Sequence, residues 1–287
     1  GGRRSRNERS WEGIRIWRGP RMNELWSYRD LLVQLVRREV VVRYRHSLLG
    51  VGWALLQPLG LMLLFTLVFT QAVSVGVIDR LGVPYPLFVD VGVLPWTLFA
   101  SGLTGSVTSL ASHRDLVTKV YFPQQILPLT AIASASFDFA VASGVLVGLV
   151  AYYHFGTGWS FGFHAGLLLL PAVLAIQLLL MVGLGLWLAL ANLWYRDVKY
   201  LFMVGIQMWM FLTNVLYPLP ESGSTMMRAV TAANPMVPII SAYRAAVIEG
   251  RWPAEPGLIT AAAVGVLLTW SGWETYRLLE GRFAERV

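Results

Sequence analysis

Apolar residues fall into six long segments, and shorter polar segments separate them. A helix needs about 20 mainly apolar residues to cross the roughly 30 Å hydrocarbon core of a bilayer. Six windows approach or exceed this length, and they are 53–77, 87–111, 126–153, 165–191, 200–216 and 258–276. The fifth window is the shortest and is rich in Met and Trp. The pattern therefore predicts an all-α polytopic membrane protein with six transmembrane helices.

Before the first window, apolar and charged residues alternate at the spacing of a helix with two unlike faces. The apolar positions are Tyr28, Leu31, Leu32, Leu35 and Val36, and the opposite positions are Arg29, Asp30, Gln34, Arg37 and Arg38. This pattern is typical of a helix that lies along a membrane surface with its Arg side chains among lipid phosphates. We predict such an amphipathic interface helix within residues 28–50.

A second segment, residues 217–256, contains apolar stretches that are too short to cross a bilayer. These stretches are residues 226–232 and 237–248, and prolines interrupt the sequence around them. Irregular backbone is tolerated at membrane depth only where it lies against protein or water. The pattern predicts two short re-entrant helices before the last span.

Lys and Arg are divided unevenly between the two sides that six spans create. The side that holds both termini and the second and fourth loops carries 19 of the 23 Lys and Arg residues. Because positively charged segments stay in the cytoplasm, we predict cytoplasmic N- and C-termini and a location in the cytoplasmic (inner) membrane. Residues 1–27 then form an Arg-rich cytoplasmic tail, and residues 51–287 form the six-span domain. Membrane orientation explains the net charge of +7, so nucleic acid is not an expected partner.

The chain has few of the residue types on which metal, redox or catalytic sites depend. It has no Cys, its four His are scattered, and 56% of its residues are hydrophobic. It also has no GxxxxGK[ST] phosphate loop and no recognisable hydrolase motif. We therefore predict that the chain is not an enzyme and holds no cofactor or metal. The energy for any transport has to come from elsewhere.

Asp138 is the only acidic residue that we place deep in a predicted span. An intramembrane carboxylate is a candidate functional group, because burying its charge is costly. A proton relay is one interpretation, although no Lys, Arg or His is predicted in another span to partner the carboxylate. A protonated or hydrogen-bonded Asp that faces other helices is the alternative.

Several short motifs follow one another in a recognisable order. They are Arg43-Tyr44-Arg45-His46-Ser47-Leu48-Leu49-Gly50, Gly52-Trp53-Ala54, Gln57-Pro58-Leu59, Tyr85-Pro86-Leu87-Phe88, Leu94-Pro95-Trp96, Leu116-Val117-Thr118-Lys119-Val120-Tyr121-Phe122-Pro123, Trp194-Tyr195-Arg196-Asp197-Val198-Lys199-Tyr200 and Asn234-Pro235-Met236. In this order, and placed against six spans, they resemble the type-2 ABC transporter permeases that export O-antigen, capsule and teichoic-acid polymers. The resemblance covers residues 25–280, near enough the whole chain.

This resemblance implies a homodimeric permease that works with two copies of a separate ATPase, which binds ATP and Mg²⁺. Its cargo would be a polyprenyl-diphosphate-linked polysaccharide, which it would move from the cytoplasmic face of the membrane to the outer face. Membrane lipids would be its other partners. A drug or lipid exporter of the same class and a proton-coupled carrier are alternatives. A membrane glycosyltransferase or acyltransferase is a further alternative, but it should show a cluster of carboxylates or His, and none is visible.

The resemblance also assigns ATPase coupling to the second cytoplasmic loop, residues 112–125. The candidate coupling residues are Arg114, Lys119, Tyr121 and Phe122, with Arg196 in the turn at residues 194–199 as a further candidate. An aromatic pair next to Pro in a short loop exposes apolar surface, which favours a protein partner. A loop that only fixes the topology through its charge is the alternative.

Arg43, Arg45 and His46 lie where the interface helix meets the first span. The family analogy makes them candidates for binding the diphosphate of the lipid carrier, since Arg binds phosphate through two parallel hydrogen bonds. Arginines whose charged ends extend to the membrane surface as anchors are an equally good explanation.

Aromatic residues inside the predicted spans are candidates for lining a glycan channel, because sugar rings stack on aromatic rings. The candidates are Phe65, Phe69, Trp96, Phe99, Trp209, Phe211 and Tyr217. Contacts with lipid or with other helices are the alternative for each of them.

The predicted topology can be tested with single cysteines, because the chain has none of its own. Cysteines at Ser160 and Ser222 are expected to react with a membrane-impermeant thiol reagent in intact cells. Cysteines at Ser5 and Ser112 are expected to react only after the cells are opened. Labelling of the second pair in intact cells contradicts six spans with cytoplasmic termini.

Overall fold

A computed structural model of the chain describes residues 28–45, 47–72, 83–113, 122–157, 159, 161–162, 164–217, 225–253 and 255–286. These residues form nine α-helices and one short 3-10 helix, with no strand among them. The helices are α1 (Arg29–Tyr44), α2 (Gly52–Ala72), α3 (Tyr85–Ser112), α4 (Ile126–Gly156), α5 (Leu170–Trp194), α6 (Val198–Phe211), α7 (Thr225–Ala233), α8 (Met236–Val247) and α9 (Gly257–Arg286), and the 3-10 helix Ala165–Leu169 precedes α5. The all-α prediction is confirmed.

Four segments are long and apolar enough to cross a bilayer, judged by length and composition. They are Gly52–Phe69, Tyr85–Ser112, Ile126–Gly156 and Ala165–Trp194, which match the first four predicted windows. The fifth window forms α6, whose 14 residues extend only about 21 Å. The sixth window lies within α9, a helix of 30 residues. The count of six spans and the re-entrant placement of α7 and α8 stay predictions.

Helix α3 is the centre of the bundle. It contacts α2, α4, α5, α6 and α8, and 78% of its apolar stretch is buried. Pro95 lies inside this helix, where it removes one backbone donor. The Gln177 side chain of α5 donates a hydrogen bond to the Pro95 carbonyl at 2.7 Å, so a polar contact ties the two helices at this position.

The predicted interface helix forms α1, and it packs lengthwise on the start of α4. Leu35 is buried in a cluster with Leu110, Phe122, Ile126, Leu190 and Trp273, which we call the Phe122 cluster. Further along, Glu39 contacts Ser134, and Arg43 contacts Asp138. Partners on both helices advance by four residues, so α1 and α4 run in the same direction.

Helices α5 and α9 pack closely because glycines lie between them. A Cβ atom at Gly183 would lie 2.6 Å from the Leu268 Cβ and 2.8 Å from the Thr269 nitrogen. A Cβ atom at Gly265 would lie 3.0 Å from the Leu180 nitrogen. Small residues allow such close approach of membrane helices, where hydrophobic driving force is absent.

Gly183→Ala is therefore expected to lower the free energy of unfolding by about 1–3 kcal/mol, because the added methyl group overlaps the α9 backbone. Thermal unfolding in detergent measures the effect. Gly148→Ala in α4 is the matched control, since no atom lies within 4 Å of its added Cβ. A Gly183→Ala variant as stable as this control would show that α9 moves away at little cost.

Candidate functional site

A cavity of about 350 Å³ lies between the end of α1 and helices α2, α3 and α4. The lining residues that carry polar atoms are Arg43, Tyr44, Trp53, Gln57, Thr97, Ser101 and Asp138. The other lining residues, such as Pro58 and Phe139, are apolar. Polar side chains within apolar helices mark candidate functional sites, because burying them costs free energy.

Arg43 is held in this cavity by two carboxylates. Its Nη1 atom donates a hydrogen bond to Asp138 Oδ2, and its Nη2 atom lies 3.4 Å from Glu39 Oε1. Ser134 donates a hydrogen bond to the other Glu39 oxygen at 3.1 Å. The Arg43 and Asp138 side chains are 39% and 21% exposed, so the pair lies at the open side of the cavity.

Tyr44 completes the network from the last turn of α1. Its hydroxyl donates a hydrogen bond to Asp138 Oδ1 at 2.7 Å. Partial burial, followed by this hydrogen bond, raises the pKa of the Tyr44 phenol to about 12. The phenol therefore keeps its proton throughout the physiological pH range and remains a donor to Asp138.

These contacts correct the description of Asp138 as an isolated acid. Its partners come from α1, which is not one of the predicted spans, so an analysis of spans alone missed them. The hydrogen-bonded alternative describes Asp138 better than a free proton relay does. The i,i+4 spacing of Glu39 and Arg43 was a signal in the sequence that pointed to the second carboxylate.

The other two carrier-binding candidates are not brought into this network. Arg45 is exposed directly after α1 and does not line the cavity. His46 lies outside the described residues. Two carboxylates therefore contact the Arg43 guanidinium, and a phosphate can bind it well only where a carboxylate gives way.

The coupling candidates lie at one end of the bundle, as far as the structure describes them. The aromatic pair in the loop was expected to expose apolar surface, and for Phe122 this expectation is wrong, because its ring is 3% exposed in the Phe122 cluster. The side chain packs inward because Leu110, Ile126 and Leu190 offer it an apolar pocket. Arg196 is exposed in the turn between α5 and α6. Arg114, Lys119 and Tyr121 lie outside the described residues.

The candidate channel aromatics separate into two groups. Trp96 and Phe99 are 4% and 0% exposed, and the Phe99 ring meets the edge of Trp209 at 5.2 Å between centroids. For Trp96 and Phe99, helix packing rather than channel lining describes the structure. The other five are more exposed: Phe211 is 55% exposed, and the half-buried ones are Phe65, Phe69, Trp209 and Tyr217. Channel lining stays a prediction for those five.

A second polar cluster, at the opposite end of the bundle from the Phe122 cluster, was missed in the sequence. Arg244 of α8 is 5% exposed and binds the carbonyl oxygens of Asn214 and Val215, the latter at 2.7 Å. Its guanidinium stacks 3.7 Å from the Phe88 ring centroid. A Cβ atom at position 92 would lie 2.8 Å from the Arg244 Nη2 atom, so Gly92 leaves the space that this side chain fills.

Two more side chains bind the irregular stretch that follows α6. Asn234 donates to the Leu212 carbonyl at 3.2 Å, and its side-chain oxygen accepts from Trp209 at 2.9 Å. The Tyr85 hydroxyl donates to the Leu216 carbonyl at 3.0 Å. Residues 212–217 are thus held by side chains of α3, of α8 and of the connection between α7 and α8. A lone Arg within the apolar stretch 237–248 was the signal for this arrangement.

The prediction that Asp138 is the only acidic residue deep in a span is wrong, because Asp90 is a second one. It lies in the second turn of α3, within a predicted span, and is fully buried. Neither of its carboxylate oxygens has a hydrogen-bond partner among the described residues.

Arg244→Met is expected to lower the free energy of unfolding by about 3 kcal/mol, because two buried carbonyls lose a charged donor. Arg244→Lys should fall between this variant and the parent, since an ammonium group cannot span both carbonyls as the guanidinium fork does. Arg251→Met, at a side chain that is 56% exposed, is the control. Equal melting temperatures for the Arg244→Met and control variants would mean that the carbonyls find other donors.

Comparison with known proteins agrees with this architecture. The sequence profile of the ABC-2 type transporter family matches residues 30–248. The chain is 35% identical over 271 residues to the O-antigen export system permease protein RfbA of Myxococcus xanthus, covering 93% of this chain and 98% of that protein. It is 26% identical over 261 residues to the protein of the same name from Klebsiella pneumoniae, covering 89% and 94%. The chain therefore belongs to the ABC-2 type transporter family, as a multi-pass membrane permease.

Proposed function

We propose that this chain is the membrane subunit of an ATP-driven exporter that moves a polyprenyl-diphosphate-linked polysaccharide, such as an O-antigen, across the cytoplasmic membrane. The observation that carries the proposal is the 35% identity to an O-antigen export permease over 93% of the chain. The match covers nearly the whole length of both chains.

The proposed assembly contains two copies of this chain and two copies of a separate ATPase, with both termini in the cytoplasm. The described ends of the segment at residues 112–125 and the turn that holds Arg196 lie at the end of the bundle that contains the Phe122 cluster. This common position supports their role as the surface that meets the ATPase. Because Phe122 is buried, its role is to carry movement of that segment into α4 and α9, and the contact with the ATPase falls to neighbouring residues.

Arg43 is the proposed binding group for the carrier diphosphate. Its guanidinium faces a cavity between helices, and Gln57 and Ser101 supply further polar atoms there. A guanidinium fork suits phosphate oxygens, and the apolar part of the lining suits the lipid that bears them. For Arg45, membrane anchoring remains an explanation, because this side chain is exposed and lies outside the cavity.

Depletion of this chain in cells that produce it tests the proposal. We expect lipid-linked polymer to accumulate inside the cytoplasmic membrane and surface glycan to fall at least tenfold, because synthesis continues without export. Purified chain alone should hydrolyse no ATP, and turnover should appear when the partner ATPase is added.

The control is a strain in which the ATPase carries an inactive phosphate loop, which should show the same accumulation. Normal surface glycan together with loss of efflux of a drug or a simple lipid would assign the chain to the other type-2 exporters. ATP turnover by the pure chain would overturn the division of labour.

A further inference from the structure

The Arg43 network places an anion at the position where the proposed function needs a phosphate. Asp138 occupies one side of the guanidinium fork, and Glu39 reaches the other side at 3.4 Å. The fork is thus already filled by groups of the same chain whose charge and oxygen geometry resemble those of a diphosphate.

We propose that Asp138 is an internal competitor that sets how strongly Arg43 binds the diphosphate group of a polyprenyl carrier. This inference rests on the proposed function at Arg43 and adds a specificity-determining residue to it. The incoming diphosphate replaces the Asp138 carboxylate on Arg43, and the carboxylate keeps its hydrogen bond from Tyr44.

The surroundings of Asp138 permit this exchange. Tyr44 donates to Oδ1 while Arg43 donates to Oδ2, so loss of Arg43 leaves one oxygen satisfied. The freed oxygen faces the cavity, where the Asp138 side chain is 21% exposed. A carboxylate with one retained donor and access to solvent loses far less than a sealed one.

The same arrangement excludes weaker anions. A ligand has to displace Asp138 and bring its own negative charge close to the displaced carboxylate and to Glu39. Both the attraction to Arg43 and this repulsion grow with the charge of the ligand, so the selection rests on the number of its oxygens. A diphosphate presents several oxygens, which can reach the Arg43 fork and also Gln57 and Ser101, whereas a small monoanion presents fewer. Specificity of this kind comes from the repulsive group as much as from the attractive one.

Binding of radiolabelled farnesyl diphosphate to the full chain in phosphatidylcholine nanodiscs tests the exchange. Asp138→Asn is expected to bind about fivefold more tightly than the parent, because a neutral amide holds Arg43 less firmly while still accepting from Tyr44. Arg43→Gln should bind at least tenfold more weakly. The double variant should bind like Arg43→Gln, since the gain passes through Arg43.

Two variants guard against indirect effects. Glu39→Gln removes the more distant carboxylate and should tighten binding about twofold, and it decides the question where Asp138→Asn does not fold. Glu274→Gln removes a carboxylate that is paired with Arg277 at 2.7 Å on α9, and it should bind like the parent.

Two further ligands separate the possible sources of affinity. Inorganic pyrophosphate should compete weakly and gain from Asp138→Asn by the same factor, because it shares only the diphosphate. Farnesol should show no dependence on position 138, because it shares only the lipid chain.

The outcomes separate the inference from the function on which it rests. If Arg43→Gln weakens binding and neither carboxylate variant tightens it, the exchange is overturned and the carrier site at Arg43 stands. If Arg43→Gln leaves binding unchanged, both the exchange and the carrier site are overturned. A double variant that still binds more tightly than Arg43→Gln would also overturn the exchange, since the gain would then bypass Arg43.

Discussion

A backbone carbonyl that is buried away from water needs a donor, and the end of a helix leaves several carbonyls without one. This constraint acts on the stretch after α6, where residues 213–216 are buried. Arg244, Asn234 and Tyr85 each reach the stretch from a different part of the chain and bind its carbonyls. The same three side chains fix α8 and α3 against the end of α6. The requirement of these backbone carbonyls for donors thus sets the packing of the bundle at this end.

At the other end, α1 joins the polar cavity to the surface proposed to meet the ATPase. Its last turn carries Arg43, whose partner Asp138 lies in α4. Two turns earlier, Leu35 lies in the cluster that buries Phe122 beside the segment at residues 112–125. A single short helix therefore contacts both regions. Its partners follow one another along α4 in the same order as along α1, so the two helices run in the same direction.

Hydrophobic periodicity predicted the helices well, because length and apolar content determine what can cross a bilayer. The first four windows and α1 correspond to helices within a few residues. Side-chain partners were harder to predict, since Asp138 meets Arg43 across 95 positions of sequence and pattern alone gives no distance. Phe122 was expected at the surface because it lies next to Pro in a short loop between predicted spans, yet its neighbours in space are apolar. Asp90 and Arg244 were missed because a single charge hardly changes the mean of an apolar window.

The position of Arg244 in the chain has a consequence for biogenesis. Synthesis proceeds from the N-terminus, so α3 and the stretch after α6 are made before α8. Until Arg244 arrives, the carbonyls of Asn214 and Val215 have no donor from α8, and the space beside Gly92 is unfilled. The bundle can close only after α8 is made, and a nascent chain that stops short of it presents an incomplete surface to the quality-control proteases of the membrane.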